Sequence, residues 1–193
     1  PRKSLRTVPP ALPSNQYAQS SITASCSTLT NPTTLLGAGV SPVFGDETSS
    51  ATVPLPFGFW LFGVPVTHFS VQTNGFMQLH ESAAGLGTAS TYSSVTTSLP
   101  SSAGPNGFIA GLWADLEPLP TGRVAAQTLG QNGHRVHVVE WKDLVRFATT
   151  TRVGLQVKLF EDTGIIEVHW CEAPMLSSTA LSCGLPSYSR SGW

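Results

Sequence analysis

The sequence is poor in charge and lacks the motifs of the common enzyme classes. Charged residues make up only 11% of its 193 residues, against roughly 25% in an average soluble domain. The net charge is −1, which offers no electrostatic surface for a nucleic acid backbone. No G-x-S-x-G elbow, H-E-x-x-H, P-loop or dinucleotide fingerprint is present. The sequence therefore predicts a protein that is not an enzyme and does not bind nucleic acid.

Long apolar runs are also missing. None approaches the ~18 residues that a membrane-spanning helix needs, so no membrane insertion is expected. A hydrophobic fraction of 40% still allows a real core. Ser, Thr, Gly and Pro take the place of charge on the expected surface, which is typical of extracellular modules and of proteins that pack against copies of themselves. The predicted location is secreted or at the cell surface.

Cysteine is scarce, and the three present are Cys26, Cys171 and Cys183. Cys171 and Cys183 flank a short loop, which a disulfide could close in an oxidising compartment. A bridge from Cys26 to either of the others, tying the N-terminal segment to the last strand, is nearly as well supported. No CxxC or Cys/His cluster points to zinc.

Apolar and polar side chains alternate along several segments. In residues 135–141, 153–159 and 166–170 every second side chain is apolar, a period that a helix cannot place on one face. Asn74-Gly75 is a strong hairpin turn signal. No segment shows an amphipathic helical period with caps. The sequence predicts an all-β fold, an antiparallel β-sandwich with long loops and an extended N-terminal segment.

The chain divides into two expected parts. Residues 1–20 carry several prolines and no periodicity, which predicts an extended N-terminal arm. Residues 21–193 are expected to form a single sandwich domain. Two stretches of low charge, residues 81–107 and 172–187, are predicted loops that vary and make contacts, as loops on a rigid β scaffold commonly do.

Five blocks follow one another between about residues 53 and 170. They are 55–63 (LPFGFWLFG), 71–76 (VQTNGF), 109–115 (IAGLWAD), 122–124 (GRV) and 138–141 (VVEW). In order and spacing they resemble the NIDO (nidogen-like extracellular) domain and related modules of bacterial secreted and surface proteins. The resemblance implies an extracellular β-rich module of adhesion and matrix proteins, with no catalytic residues to carry over.

Several residues of these blocks have structural roles of their own. Gly75 supplies a positive φ for the turn after Asn74. Trp113 and Trp141 supply large buried area at low side-chain entropy. Asp115 follows an apolar strand and is expected to bond backbone amides of a turn.

Candidate binding residues are aromatic side chains that the strand pattern leaves outside. Aromatic faces bind sugars and anchor protein partners. The candidates are Tyr92, Phe147 and Tyr188, with Trp193 at the end of the sequence.

Titratable residues give weaker indications of a site. His137 and His169 could meet on a shared face of neighbouring strands as a pH-sensitive or metal-binding pair. Three carboxylate pairs lie in turns, where a hard cation such as calcium finds oxygen ligands, although none has the D-x-D-x-D spacing of a binding loop. They are Asp46 with Glu47, Asp115 with Glu117, and Glu161 with Asp162. No other cofactor is expected.

These observations predict an extracellular structural or adhesive module whose partners are copies of itself or extracellular proteins and glycans. A sharper hypothesis is self-assembly into a fibre, sheath or surface layer, in which the arm adds a strand to a neighbour's sheet edge. The alternative is a carbohydrate-recognition module of a secreted or surface protein.

Overall fold

The computed structural model of the chain describes residues 4–8, 17–23, 25–41, 44–84, 107–172 and 182–184, and for residues 4–8, 18–19 and 182–184 the backbone alone. Strands dominate these residues, and none of them forms a helix long and apolar enough to cross a membrane. The strands are β1 (Ser4–Val8), β2 (Ala18–Ile22), β3 (Thr33–Leu36), β4 (Val53–Leu61), β5 (Val64–Gln72), β6 (Phe76–His80), β7 (Phe108–Trp113), β8 (Leu116–Leu129), β9 (Val136–Arg146), β10 (Arg152–Phe160), β11 (Ile166–Glu172) and β12 (Ser182–Gly184).

The strands form two antiparallel sheets. The larger sheet has the order β2-β1-β11-β10-β9-β8-β3, and the smaller sheet has the order β12-β7-β6-β5-β4. Two indoles link the layers, because Trp141 Nε1 donates to the carbonyl of Gln72 at 2.8 Å and Trp170 Nε1 donates to that of Gly111 at 3.1 Å. The predicted all-β antiparallel sandwich is confirmed.

The inner faces of the sheets follow the period-two pattern of the sequence. In β4, the buried side chains are Leu55, Phe57, Phe59 and Leu61, and the residues between them face outward. Each large apolar side chain buried in this way contributes about 1.5–3 kcal/mol. The inward residues of β10 join the same core: Val153, Leu155, Val157 and Leu159. Local alternation therefore decides which side chains build the core.

The predicted hairpin turn at Asn74-Gly75 joins β5 to β6, and it is buried. Gly75 has φ of +80°, and a Cβ there would lie 2.1 Å from the carbonyl oxygen of Leu112. The Gly75 carbonyl accepts hydrogen bonds from the amides of Gly111 and Leu112, at 3.0 and 3.1 Å. The turn thus packs directly on β7, and only glycine fits at this position.

Most of the aromatic side chains in the five sequence blocks are buried. Trp113 and Trp141 are both buried. Trp113 packs edge-on against Phe108 and Phe76, with ring centroids 5.3 and 6.1 Å away. Phe62 is only half-buried, because it occupies the tight turn between β4 and β5 with φ of +50°. Its ring there meets Tyr17, with centroids 4.9 Å apart.

Candidate functional site

Residues 25–27, named here the clasp segment, cover part of the outer face of the larger sheet, over β10. Gln156 Oε1 accepts a hydrogen bond from the Ser27 amide at 2.8 Å, and Gln156 Nε2 donates to the Ser27 carbonyl at 2.8 Å. Lys158 Nζ donates to the Ser25 carbonyl at 3.1 Å. Both side chains are therefore buried although they occupy the polar face of β10. Burial also lowers the pKa of Lys158, against the opposing effect of the Glu167 carboxylate.

A disulfide fixes the clasp segment to the sheet. It joins Cys26 to Cys171 near the end of β11, with the two Cα atoms 5.7 Å apart. Of the alternatives that the sequence left open, the bridge from the N-terminal segment to the last long strand is therefore the one formed. The expected closure of the Cys171–Cys183 loop is wrong, because Cys183 belongs to β12 of the smaller sheet while Cys171 pairs with Cys26 in the larger one.

The N-terminal residues provide two strands at one side of the larger sheet. β1 pairs antiparallel with β11, in a register that runs from Ser4 opposite His169 to Thr7 opposite Ile166. On its other side β1 pairs with β2. The predicted extended arm thus contains a strand that occupies the backbone hydrogen-bonding positions of β11. Those positions would form an open sheet edge, able to pair with another strand, if β1 were elsewhere.

A cluster of three carboxylates forms at one corner of the sandwich. Asp46 and Glu47 precede β4, Asp115 connects β7 to β8, and one oxygen of each lies within 4.8 Å of the others. The structure therefore adds Asp115 to the first predicted pair and leaves Glu117 outside this cluster. These are the residues, within the described ranges, that could hold a hard cation such as calcium.

The same corner is held together by a buried amide. Asn74 Nδ2 donates to Glu47 Oε1 at 3.2 Å, and Asn74 Oδ1 accepts from the Leu116 amide at 3.0 Å. Asn74 thus fills at Leu116 the amide-bonding role that the sequence suggested for Asp115. Burial and the neighbouring Asp46 carboxylate raise the pKa of Asp115, and Arg146 opposes this rise.

The Glu161–Asp162 pair is used in ion pairs. Arg135 Nε donates to Glu161 Oε2 at 2.8 Å, and the guanidinium also contacts Oε1. These hydrogen bonds lower the pKa of Glu161 to about 2. Asp162 lies 3.1 Å from Nδ1 of His134. Both carboxylates thus stabilise the turn between β10 and β11 against the start of β9.

The His137–His169 pair that the sequence allowed is not formed. β10 lies between β9 and β11, and the two imidazoles point to opposite faces of the sheet. His137 faces the interior, edge-on to Phe69 with ring centroids 4.9 Å apart. His169 Nε2 lies on the outer face, 3.0 Å from Glu167 Oε2. The two histidines do not meet, because they lie on opposite faces of the sheet and on strands that β10 separates.

Only one of the aromatic binding candidates lies within the described residues. Phe147 is 50% exposed, and its amide donates to the Asp115 carbonyl at 2.9 Å beside the acidic cluster. Tyr92, Tyr188 and Trp193 lie outside the described residues. Trp60, which was not among the predicted candidates, is 58% exposed on β4. The alternation of Leu55, Phe57, Phe59 and Leu61 would have placed it outside.

Comparison with known proteins gives one match. The model of a family described as NIDO related matches residues 16–191, which is most of the chain. No curated protein and no solved structure matches.

Proposed function

This chain belongs to the NIDO-related family, and from that membership we propose that it is an extracellular structural or adhesive module that assembles with copies of itself. The disulfide between Cys26 and Cys171 supports an oxidising environment, because such bonds are rare in the cytosol. A surface with few charged residues supports close packing of neighbouring copies.

The observation that carries the assembly hypothesis is the pairing of β1 with β11. It consists of backbone pairing between consecutive residues, from Ser4 opposite His169 to Thr7 opposite Ile166. Backbone pairing of this kind works equally well when the strand comes from another copy, as in domain swapping and β-strand addition. A second copy of β1 is therefore the partner that best fits this edge.

The disulfide limits which part of the chain can exchange. Cys26 is bonded to Cys171 near the end of β11, so the segments that follow Cys26 stay with their own domain. Fully extended, the stretch from Cys26 back to Ser4 reaches on the order of 70 Å. That length suffices for β1 to reach β11 of an adjacent copy, and repetition in one direction would produce a fibre rather than a closed dimer.

The test compares the full chain with residues 21–193 by light scattering and negative-stain imaging. We expect ordered polymers from the full chain and a folded monomer from the truncated one. Because the deletion also removes Tyr17, which packs on Phe62, Tyr17→Ala in the full chain serves as the control and should still polymerise. Polymers of residues 21–193, or a strictly monomeric full chain, would refute the hypothesis.

A second candidate function is carbohydrate recognition, and Trp60 is the observation that favours it. Its ring is mostly exposed on a strand whose outward residues Pro54, Pro56 and Gly58 carry no charge. An exposed indole on an uncharged surface is a good stacking surface for a sugar ring.

A further inference from the structure

We propose that the cleft between the edge strands β3 and β4 binds a neutral glycan, whose chain continues along β4 to stack on Trp60. This inference rests on the second candidate function and assigns it a site. β3 ends the larger sheet and β4 ends the smaller one. Among the described residues the sandwich is therefore open between them, at strands other than β1 and β11 of the assembly hypothesis.

The cleft has the size and lining of a small-molecule site. Its volume is about 460 Å³, within the roughly 300–1,000 Å³ of typical ligand pockets. Apolar groups come from both edge strands and from Phe69 beneath them, and polar groups come from Thr33, Gln127, Thr128 and His137. Hydrophobic walls with a few convergent polar groups are the usual pattern of such sites.

His137 is the lining residue whose hydrogen bonding indicates a ligand. The residue is only 5% exposed, and its Nδ1 lies 3.1 Å from Thr128 Oγ1. Its Nε2 is buried and has no hydrogen-bond partner in the described structure. Such an atom is costly to bury, since its lost hydration costs on the order of 1–3 kcal/mol. A ligand hydroxyl in the cleft would supply the missing hydrogen bond if it displaced the groups that cover Nε2.

We expect a neutral ligand because the described lining of the cleft carries no charged side chain. None of the described residues that line it is Asp, Glu, Lys or Arg, and a charged ligand buried there would have no counter-charge. Burial also lowers the pKa of His137 to about 4, so the imidazole is uncharged at neutral pH. A sugar ring matches this lining, since its C–H faces pack on prolines and Phe69 while its hydroxyls bond amides, hydroxyls and the imidazole.

The outward side chains of β4 between the cleft and Trp60 carry no charge, and the Arg135 guanidinium meets this stretch at the Pro56 carbonyl, at 2.8 Å. Pro54 and Pro56 line the cleft, and Gly58 and Trp60 share their outward face of β4, since side chains on one face recur every second residue. From Pro56 to Trp60 the strand extends about 13 Å. A Cβ at Gly58 would meet nothing within 4 Å, so no described residue blocks the path between them. A glycan of several sugars can therefore occupy the cleft and Trp60 together.

A β-strand of a second copy is a poorer occupant. Pro54 and Pro56 have no backbone N–H to donate, and proline on an edge strand opposes strand addition. A sugar chain needs no such backbone pairing.

The experiment titrates the full chain with neutral oligosaccharides in a calorimeter, using cellotetraose, maltotetraose and chitotetraose as probes. At least one should bind saturably. His137→Phe keeps a ring beside Phe69 and removes both ring nitrogens, the Nδ1 contact to Thr128 as well as Nε2, and should weaken binding tenfold or more. Trp60→Ala changes an exposed side chain, so folding is not at risk, and should weaken binding several-fold. Phe147→Ala, the matched exposed aromatic outside the cleft, should bind as the unaltered chain does.

The possible outcomes distinguish failure of the proposed cleft site from failure of the carbohydrate-recognition function. If no probe binds, both the site and the carbohydrate-recognition function are wrong. If a probe binds and neither His137→Phe nor Trp60→Ala weakens it, the function stands and this site is wrong. A loss in Phe147→Ala equal to that in Trp60→Ala also overturns the site.

Discussion

Cys26 and Cys171 are 145 residues apart in the sequence, yet their Cα atoms lie 5.7 Å apart, where the clasp segment meets β11. The bond ties the residues that precede β3 to the last long strand of the same sheet. It holds the clasp segment over Gln156 and Lys158, and it fixes the base of the N-terminal arm beside the edge that β1 occupies. One covalent link thus holds the clasp segment to the sheet.

Removing this disulfide should destabilise the domain strongly. Because the bond closes a very long loop, the double variant Cys26→Ser/Cys171→Ser should lose about 2–5 kcal/mol of unfolding free energy. Urea unfolding under non-reducing conditions measures the loss. Cys183→Ser is the matched control and should unfold as the unaltered chain does, since Cys26 and Cys171 bond each other. An equal loss in Cys183→Ser would contradict the pairing.

The clasp segment should depend on Gln156. Gln156→Leu leaves the amide and the carbonyl of Ser27 without their partner, and we expect a loss of about 2 kcal/mol or more, because each buried unsatisfied group costs about 1–3 kcal/mol. Hydrogen exchange at the Ser27 amide should accelerate. Gln127→Leu removes a similar bond to the exposed Asn31 amide and should cost less than about 1 kcal/mol. Equal losses in the two variants would argue against a buried clasp.

Acid should destabilise the protein through His137. Its pKa is about 4 in the folded state against an ordinary value of 6.5, so the unfolded chain binds a proton first. The stabilisation is complete above pH 6.5 and is lost as pH falls toward 4, by up to about 3 kcal/mol. Denaturant unfolding between pH 4 and pH 7 measures this slope. The dependence of the unfolding free energy on pH should become weaker in His137→Phe. It should persist in His134→Asn, because His134 is exposed.

The acidic cluster should repel itself at neutral pH. Burial and Asp46 raise the pKa of Asp115, so the ionised carboxylate opposes folding. Asp46→Asn should therefore stabilise the protein by about 0.5 kcal/mol at low salt, less as salt rises, because exposed charges are screened. The gain should vanish in acid, where the carboxylates are protonated. An NMR titration of Asp115 should show its pKa closer to the ordinary value in the variant.

Calcium binding at the three carboxylates would give a result opposite to the stabilisation expected from repulsion alone. If a divalent cation neutralises Asp46, Glu47 and Asp115, added calcium chloride would raise the melting temperature of the unaltered chain above that of a sodium chloride control at equal ionic strength. Asp46→Asn would then reduce the calcium effect instead of stabilising the protein. Repulsion alone predicts no such specific effect of calcium.

Much of the fold could be predicted because its determinants are local. Alternation in residues 153–159 and 166–170 assigned side chains to sheet faces, and β10 and β11 follow it. Asn74-Gly75 located the β5–β6 hairpin, because only glycine tolerates that backbone conformation against Leu112. The same period would have located Trp60 as an exposed residue, had it been applied to β4.

The sequence by itself therefore determined the class of fold, the hairpin and most of the core aromatics, since each depends on residues within a few positions of one another. Tertiary structure alone decided the partner of Cys26, the approach of Asp115 to Asp46, and the separation of His137 from His169. These depend on the order of strands in the sheets and on the course of the clasp segment. The physical reason is that side-chain period fixes the face of a strand, whereas the packing of the whole chain selects its neighbours.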